Sequence, residues 1–218
     1  MQNSEKKLVL LVAGEASGDV HGANLVRAMR SQASHVAFWG IGGDRMEEAG
    51  VRILFRSSEL AVVGLTEVFS KVLNILKASF RMKSIIRHKR PDLLILIDFP
   101  DFNLNLARTA KRHHMPVLYY ICPQVWAWRQ GRVKKMVHRI DRMAVILPFE
   151  KDNYRKRGID VTYVGHPLLD SIRREEHVND ISSKGAVSEG GPTIGLMPGS
   201  RTEEIANLLP SMVEAVEI

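Results

Sequence analysis

Short apolar runs alternate with helical periods along most of the chain, and this alternation restricts the fold more than any other feature. The runs are apolar throughout, which is typical of strands in a parallel sheet that helices cover on both faces. Alternation of strand and helix about six times favours a doubly wound α/β domain. We predict strands over residues 8–13, 36–40, 51–55, 93–97, 117–121, 142–147 and 161–164, and helices over 19–31, 44–49, 65–87, 104–114, 129–140 and 149–156.

The character of the chain changes after the sequence Gly165-His166-Pro167. Residues 173–191 are polar and glycine-rich without a period, which is typical of a linker or a long loop. Residues 193–197 are predicted to form a new strand and residues 202–216 a helix. One strand and one helix cannot bury a core alone, so we expect a second α/β domain that is incomplete and a chain that is a fragment. The predicted organisation is a first domain over 1–166, a linker over 167–192 and the start of a second domain over 193–218.

Composition and charge limit the partners. The 218 residues carry a net charge of +7 and include one cysteine, Cys122. A single cysteine allows no disulfide within the chain, which fits a reducing compartment. The N-terminal apolar run imitates a signal peptide, but Glu15 and Asp19 follow it at once, so a buried first strand explains it better. The basic surface indicates nucleic acid, phosphorylated substrates or anionic membrane as partners, and a solvated face without a partner is an open alternative.

Ligands of open parallel sheets bind beyond the carboxyl ends of the strands, so the loops that follow strands are the first candidates for a site. Residues 14–22, GEASGDVHG, contain small residues that would let backbone N–H groups approach an anion. The alternative is a tight turn with Ser17 or Asp19 as helix N-cap, and both interpretations are open. Gly42 and Gly43 in the next such loop either admit a ligand or form a turn with positive φ.

A third loop lies in the stretch LLILIDFPDFNLN, where a buried strand ends in Asp98. A catalytic base would be placed at this position, and apolar neighbours would raise its pKa and strengthen it as a base. Capping of the next helix is the alternative for Asp98. Pro100 stiffens the turn, and we expect Asp101 or Asn103 to cap the helix that follows.

The fourth loop is LMPGSRTEE, residues 196–204, which contains Ser200 and Arg201. A strand, a Gly-Ser turn and a helix that opens beside an arginine form the geometry of a phosphate site, because arginine makes bidentate contacts with phosphate oxygens. The alternative is a capped turn whose arginine faces solvent.

One predicted helix carries more apolar residues than a single core face needs. Core packing is the default for its main stripe. The additional apolar residues point elsewhere, and lysines and arginines surround them, which suits an anionic membrane surface. The stripe consists of Leu65, Phe69, Val72, Leu76 and Phe80; the additional apolar residues are Val62, Val63, Val68 and Leu73; the basic residues are Lys71, Lys77, Arg81 and Lys83.

Two tryptophans, Trp126 and Trp128, precede a basic helix. They would stack on nucleic-acid bases or line an amphipathic pocket, or one would lie in the core and the other at its rim. The histidines lack the spacing of metal ligands, so we predict no metal site.

Several motifs together closely resemble the lipid-A-disaccharide synthase family, glycosyltransferases of Gram-negative bacteria. The resemblance covers nearly the whole chain, from Val9 to Glu204, and is weakest in residues 173–191. Each motif is short, but the ordered set is highly specific. The motifs are AGEASGD, GIGGDRM, LAVVG, IDFPDFN, PQVWAWRQGRVKK, LPFEKDNY, GHPLLD and LMPGSRTEE.

The resemblance implies a GT-B fold, in which two Rossmann-like domains face a cleft. It implies an inverting transfer that joins UDP-2,3-diacylglucosamine to 2,3-diacylglucosamine 1-phosphate through a β-1,6 bond, with release of UDP. It implies a cytoplasmic enzyme, peripheral on the anionic inner-membrane surface, without a metal or other cofactor and without nucleic acid; homodimer formation is left open. Because the C-terminal domain of GT-B enzymes carries most of the nucleotide site, we expect this chain alone to be inactive.

The resemblance also implies roles for residues of this sequence. Asp98 matches the family's essential acid and would take the proton of the acceptor hydroxyl, which leaves capping to Asp101. Arg201, beside Ser200, would neutralise the diphosphate of the leaving UDP. The acceptor side would include Gly14, Glu15, Ser17, Gly18 and Asp19, and Asn103 would also bind substrate. The acyl-facing surface would include Val62, Val63, Val68, Phe69 and Leu73.

Other classes of protein remain as alternatives. One is another GT-B enzyme, such as a transferase of peptidoglycan precursors or a UDP-sugar epimerase, although the IDFPDFN and PQVWAWRQ stretches argue against both. A second is a basic module that binds membrane or nucleic acid without catalysis. The absence of a GxGxxG sequence disfavours a Rossmann dehydrogenase.

Overall fold

A computed structural model describes residues 7–60, 68–122, 131–170, 172, 194–199 and 202–216 of the chain. These residues belong to two compact units, Met1–Asp170 and Ser171–Ile218.

The first unit is built on a sheet of seven parallel strands. Their order is β3-β2-β1-β4-β5-β6-β7. The first crossovers run from β1 to one side of the sheet, and the later ones run from β4 to the other side, so the order reverses between β1 and β4. The strands are β1 (Lys7–Ala13), β2 (Val36–Gly42), β3 (Val51–Arg56), β4 (Leu93–Ile97), β5 (Val117–Tyr120), β6 (Arg142–Val145) and β7 (Val161–Tyr163).

Helices connect the strands, as parallel pairing requires. In the first unit they are α1 (Ala16–Gln32), α2 (Asp44–Glu48), α3 (Val68–Lys89), α4 (Pro100–Arg112), α5 (Gly131–Val137) and α6 (Pro148–Arg155). In the second unit, α7 (Thr202–Val216) follows residues 194–199, which have no regular secondary structure. None of the helices within the described ranges is long and apolar enough to cross a membrane.

Both faces of the central strands are buried, which explains why these strands are apolar throughout. Along β1, Leu10 and Val12 belong to a core cluster that includes residues of α3 and α4. Val9 and Leu11 point the other way, into a cluster with residues of α1 and α2. Since neighbouring side chains of a strand point to opposite faces, a strand between two helical layers needs apolar residues at every position.

The predicted α/β fold with a Rossmann-like doubly wound parallel sheet is confirmed. The seven predicted strands of the first unit are present, with ends that differ by one or two residues. Helix α4 begins at Pro100 rather than at residue 104, because proline is favoured at the first position of a helix. The predicted strand over 193–197 is wrong for residues 194–197: no neighbouring strand satisfies their backbone groups among the residues described, and an unpaired strand is not stable.

Candidate active site at the carboxyl edge of the sheet

Strands β1 and β4 lie side by side at the point where the strand order reverses. Ala13 at the end of β1 pairs with Ile97 at the end of β4. The loops that begin with Gly14 and Asp98 therefore leave the sheet at the same level. Crevices at such switch points are the usual ligand sites of open α/β sheets, so Asp98 lies at the edge where a ligand of such a sheet is expected.

The turn after β4 has an unusual backbone. Asp98 has φ of 45°, and Phe99 follows with φ of 48° and ψ of 58°, so both residues adopt the left-handed conformation. Each such residue costs about 1–3 kcal/mol and persists only where surrounding contacts hold it, which happens mostly at functional sites. The turn carries the chain directly from β4 into Pro100, the first residue of α4.

Two buried side chains hold this turn by its main chain. The Tyr119 hydroxyl and the Asn103 amide nitrogen each donate a hydrogen bond to the carbonyl oxygen of Asp98, at 2.6 Å in both cases. The same amide group donates to the carbonyl oxygen of Ile97 at 3.2 Å. Both Asn103 and Tyr119 are fully buried. We refer to these two side chains as the carbonyl clamp, because they fix the backbone while the Asp98 carboxylate remains half-buried at the crevice.

The surroundings raise the pKa of the Asp98 carboxyl above its ordinary value. Burial is the main cause, because it disfavours the charged form, and the negative charge of Glu15 adds to the effect. A hydrogen bond from the backbone N–H of Phe99 partly opposes the shift. The expected direction of the shift is thus confirmed, and a carboxylate with a raised pKa is a stronger base.

The loop after β1 is joined to this turn by a close aromatic contact. A Cβ atom on Gly14 would lie 2.3 Å from the ring of Phe99, so only glycine fits there. The Phe99 ring also stacks on Phe102, with ring centroids 5.1 Å apart. Gly14 is therefore required for packing between the two loops of the crevice.

Asp19 does not cap its own helix. Helix α1 has Glu15 at its N-cap position, without a side-chain cap bond, so the alternative in which Ser17 or Asp19 is the N-cap is wrong. The buried Asp19 carboxylate instead accepts hydrogen bonds from the backbone N–H groups of Gly43, Arg45 and Met46. It thereby caps the neighbouring helix α2, whose N-terminal partial charge favours an anion.

This contact also explains the two glycines before α2. A Cβ atom on Gly43 would lie 2.6 Å from a carboxylate oxygen of Asp19, and one on Gly42 would lie 2.5 Å from the sulfur of Met46. Gly43 has φ of −121°, so the alternative of a turn with positive φ is wrong for it. The glycines leave room for protein side chains.

The other residues that the sequence predicts for the substrate site and the acyl-facing surface are partly exposed, partly buried and partly outside the described residues. Glu15 and Ser17 are exposed at the crevice, and the buried Gly18 packs against Ala13.

Asp101 is in the first turn of α4, but the N-cap residue is Phe99 and no side chain caps the helix, so the expected capping by Asp101 or Asn103 is wrong. Leu73 is 57% exposed on α3, and the expected core packing of the main stripe is wrong for Val72, Leu76 and Phe80, which are 45%, 48% and 72% exposed. Four predicted residues, Val62, Val63, Ser200 and Arg201, and both tryptophans, Trp126 and Trp128, lie outside the described residues, as do the side chains of Val68 and Phe69.

Tyr119 is a residue that the sequence analysis missed. It lies in β5, whose sequence VLYY indicates a buried strand and nothing more. A tyrosine buried in a strand needs a partner for its hydroxyl group. That need is a signal for a specific contact, but the sequence does not reveal that the partner is the carbonyl oxygen of Asp98.

Cys122 lies near the same edge of the sheet, and its thiol is unreactive. Its thiol donates to the hydroxyl oxygen of Tyr154 at 3.2 Å, and both residues are buried. Burial raises the pKa of the thiol well above its ordinary value. A thiol that stays protonated is a poor nucleophile, so Cys122 and its contact with Tyr154 have a structural role.

Comparison with known proteins gives a consistent result. The family model described as lipid-A-disaccharide synthetase matches residues 9–218. The lipid-A-disaccharide synthase of Syntrophus aciditrophicus is 51% identical over 212 residues, which is 97% of this chain and 55% of that protein. The one of Geobacter sulfurreducens is 48% identical over 217 residues, covering 100% of this chain and 56% of that protein. The chain thus spans about half the length of the curated relatives it matches.

The fold resembles that of solved structures with little sequence similarity. A UDP-N-acetylglucosamine 2-epimerase superposes with a TM-score of 0.56 at 12% identity, over 78% of this chain and 51% of that chain. Fold and site together define an α/β protein of the GT-B type with a carboxylate at the switch point of its sheet. With the family match over residues 9–218, the chain belongs to the lipid-A-disaccharide synthetase family.

The carbonyl clamp generates a first prediction. Asn103→Ala removes a buried hydrogen bond to Ile97 and a partly buried one to Asp98. Both carbonyl oxygens then have fewer donors, so we expect the free energy of unfolding to fall by about 1–3 kcal/mol. Urea unfolding followed by circular dichroism measures the change. Asn105→Ala is the matched control, because Asn105 is exposed on the same helix and gains the same helix propensity. Equal stability of the two variants would contradict the clamp.

Proposed function

We propose that the protein is an inverting glycosyltransferase of lipid A biosynthesis. It transfers the sugar of UDP-2,3-diacylglucosamine to 2,3-diacylglucosamine 1-phosphate and yields lipid A disaccharide 1-phosphate and UDP. Membership of the lipid-A-disaccharide synthetase family supports the assignment. The observation that carries the mechanism is the half-buried carboxyl of Asp98 at the switch point, with its raised pKa and clamped backbone.

Asp98 is the proposed general base. Its carboxylate takes the proton of the acceptor 6-hydroxyl as the hydroxyl oxygen attacks the anomeric carbon of the donor. The bond between that carbon and the UDP oxygen breaks, and its electron pair leaves with the diphosphate. Attack opposite to the leaving group inverts the anomeric centre. The carbonyl clamp supports this step because a base must be held in position to act efficiently.

The acceptor side has residues of two kinds. Glu15 and Ser17 are exposed at the crevice and are proposed to contact the acceptor. The others hold the loops of the crevice in place. Gly14 leaves room for the Phe99 ring, Asp19 fixes the start of α2, and Asn103 holds the turn of Asp98. Gly18, which packs against the end of β1, completes the proposed acceptor side.

The donor side is proposed to begin in the second unit. Ser200 and Arg201 directly precede α7, which starts at Thr202. An arginine and a helix N-terminus together favour a diphosphate, and they would stabilise the charge that develops on UDP as it leaves. We propose the domain organisation given by the sequence, 1–166, 167–192 and 193–218. Since most of a GT-B nucleotide site belongs to the C-terminal domain, the 218-residue chain alone would lack activity.

Both substrates carry acyl chains, so the enzyme is proposed to act as a cytoplasmic protein, peripheral on the anionic inner membrane. Helix α3 supports this location, because Leu73, Leu76 and Phe80 are 57%, 48% and 72% exposed. Exposed apolar residues with neighbouring lysines and arginines are typical of interfacial helices. Val62, Val63, Val68 and Phe69 are proposed to extend the same surface.

Replacement of the proposed base tests the mechanism. In the complete protein, Asp98→Asn keeps the size of the side chain but removes the base, so we expect kcat to fall by about 10²–10⁴-fold. The measurement follows UDP release and disaccharide formation from the two proposed substrates.

Asp101→Asn is the matched control for Asp98→Asn. Asp101 is exposed in the first turn of α4, three residues beyond Asp98, and we expect its replacement to change kcat by less than about threefold. Full activity of Asp98→Asn would contradict the proposed base and leave Asp98 with a structural role only.

The pH dependence tests the electrostatics of the site. Asp98 must be ionised to act, so kcat/KM falls as the pH falls through its raised pKa. Glu15→Gln removes a neighbouring negative charge and so lowers the pKa of Asp98. We therefore expect the acidic limb of the kcat/KM profile to move to lower pH. Glu48→Gln, with the same change on the exposed surface of α2, should leave the limb in place, and an unmoved limb in Glu15→Gln would contradict the coupling.

A further inference from the structure

A cavity of about 330 Å³ lies between α3 and the strands β2 and β3, away from the crevice of Asp98. Trp39 comes from β2, Arg52 and Leu54 come from β3, and the other lining residues come from the second half of α3. The α3 residues are Arg81, Ser84, Ile85, His88 and Lys89. Because α3 runs antiparallel to the strands, these last turns lie toward the amino ends of the strands. We refer to this cavity as the basic cleft.

The lining of the basic cleft is strongly cationic. It contains three cations, Arg52, Arg81 and Lys89, together with His88, and no carboxylate is present among the lining residues that the structure describes. Arg52 lies over the Trp39 ring, with its guanidinium carbon 4.9 Å from the ring centroid. Arg81 and Lys89 are exposed and have no ion-pair partner in the described part of the chain. Such a concentration of unpaired cations around a concave surface attracts an anion.

Helix-end electrostatics explain only part of this charge. Lys89 and His88 are in the last turn of α3, where cations offset the partial negative charge of the helix terminus. Arg81 is two turns earlier, and Arg52 belongs to a different element. Their convergence on the same cavity therefore needs another reason, and a phosphate group, which arginine binds in bidentate fashion, matches it.

The source of the phosphate follows from the rest of α3. Leu73, Leu76 and Phe80 are exposed apolar residues, and Ser84 and His88 continue at the same spacing of three or four residues along one helical stripe. An exposed apolar stripe thus leads directly into the basic cleft. When α3 is tilted in a membrane interface with its N-terminal half deeper, its exposed apolar residues contact acyl chains and its basic residues lie at the depth of the phosphates.

We propose that the basic cleft binds the phosphate of an anionic phospholipid headgroup, with Arg81 and Arg52 as its main ligands. Trp39 forms the aromatic wall, as tryptophan does at membrane interfaces. The inference rests on the membrane surface of the proposed function. It adds a specific lipid site to that surface, remote from Asp98, which orients the protein on the bilayer.

The first test compares two double variants of the complete protein, with partition into vesicles as the readout. Arg52→Gln with Arg81→Gln removes the two proposed ligands of the basic cleft, and Arg155→Gln with Lys156→Gln removes an equally charged, exposed pair from the end of α6. Vesicles contain phosphatidylcholine alone or with phosphatidylglycerol. On phosphatidylglycerol vesicles we expect the cleft variant to lose about 25-fold in partition, about fivefold for each cation at the membrane surface, and the control variant less than about threefold. Equal losses would overturn the proposal in favour of diffuse charge attraction.

The second test separates a lipid from free phosphate. The indole N–H signal of Trp39 in the NMR spectrum is followed during titration with dihexanoyl-phosphatidylglycerol, dihexanoyl-phosphatidylcholine and inorganic phosphate. We expect a saturable shift with phosphatidylglycerol at concentrations at which the other two cause little change. Saturation by inorganic phosphate at the same concentration would overturn the assignment to a lipid headgroup.

A separate assay keeps this inference distinct from the proposed function. Disaccharide formation by the wild-type complete protein in detergent micelles needs no vesicle. If the wild-type protein forms disaccharide but the cleft variant partitions like the control variant, the proposed lipid site in the basic cleft is wrong and the proposed activity stands. Specific headgroup binding by a protein that forms no disaccharide supports the cleft and overturns the proposed activity.

Discussion

The carbonyl oxygen of Asp98, which accepts hydrogen bonds from Tyr119 and Asn103, is the contact on which the site depends. Two successive residues in the left-handed conformation would not persist on a free chain. Here Tyr119 reaches the turn from the neighbouring strand β5, and Asn103 reaches it from the following helix α4. The proposed base is therefore fixed through its backbone, and its carboxylate is left for chemistry.

This clamp is possible because the sheet is buried on both faces. The helices that cover β4 and β5 exclude water, so the hydroxyl of Tyr119 and the amide of Asn103 have few partners other than the carbonyl oxygens at the end of β4. The same burial raises the pKa of Asp98. Burial thus leaves the carbonyl groups of the turn to the two clamp side chains and makes the acid a stronger base.

The sequence predicts the fold and the position of the site better than the contacts within it. Strands such as β4 are apolar at every position, which marks a two-sided parallel sheet, and an acid at the end of such a strand must lie at the ligand-binding edge. The roles of Asp19 and Tyr119 could not be predicted in this way. Their partners lie 24 and 21 positions away, and only the packing of elements brings them together. The space beside Gly43 could not be assigned to Asp19 for the same reason.

Product analysis with the complete protein tests the central claim most directly. UDP-2,3-diacylglucosamine and 2,3-diacylglucosamine 1-phosphate are supplied together, and the products are identified by mass spectrometry and by the proton coupling at the new anomeric centre. The account predicts equal amounts of UDP and of a β-1,6-linked disaccharide 1-phosphate. An epimerised UDP-sugar, an α-linked product or no disaccharide would contradict it.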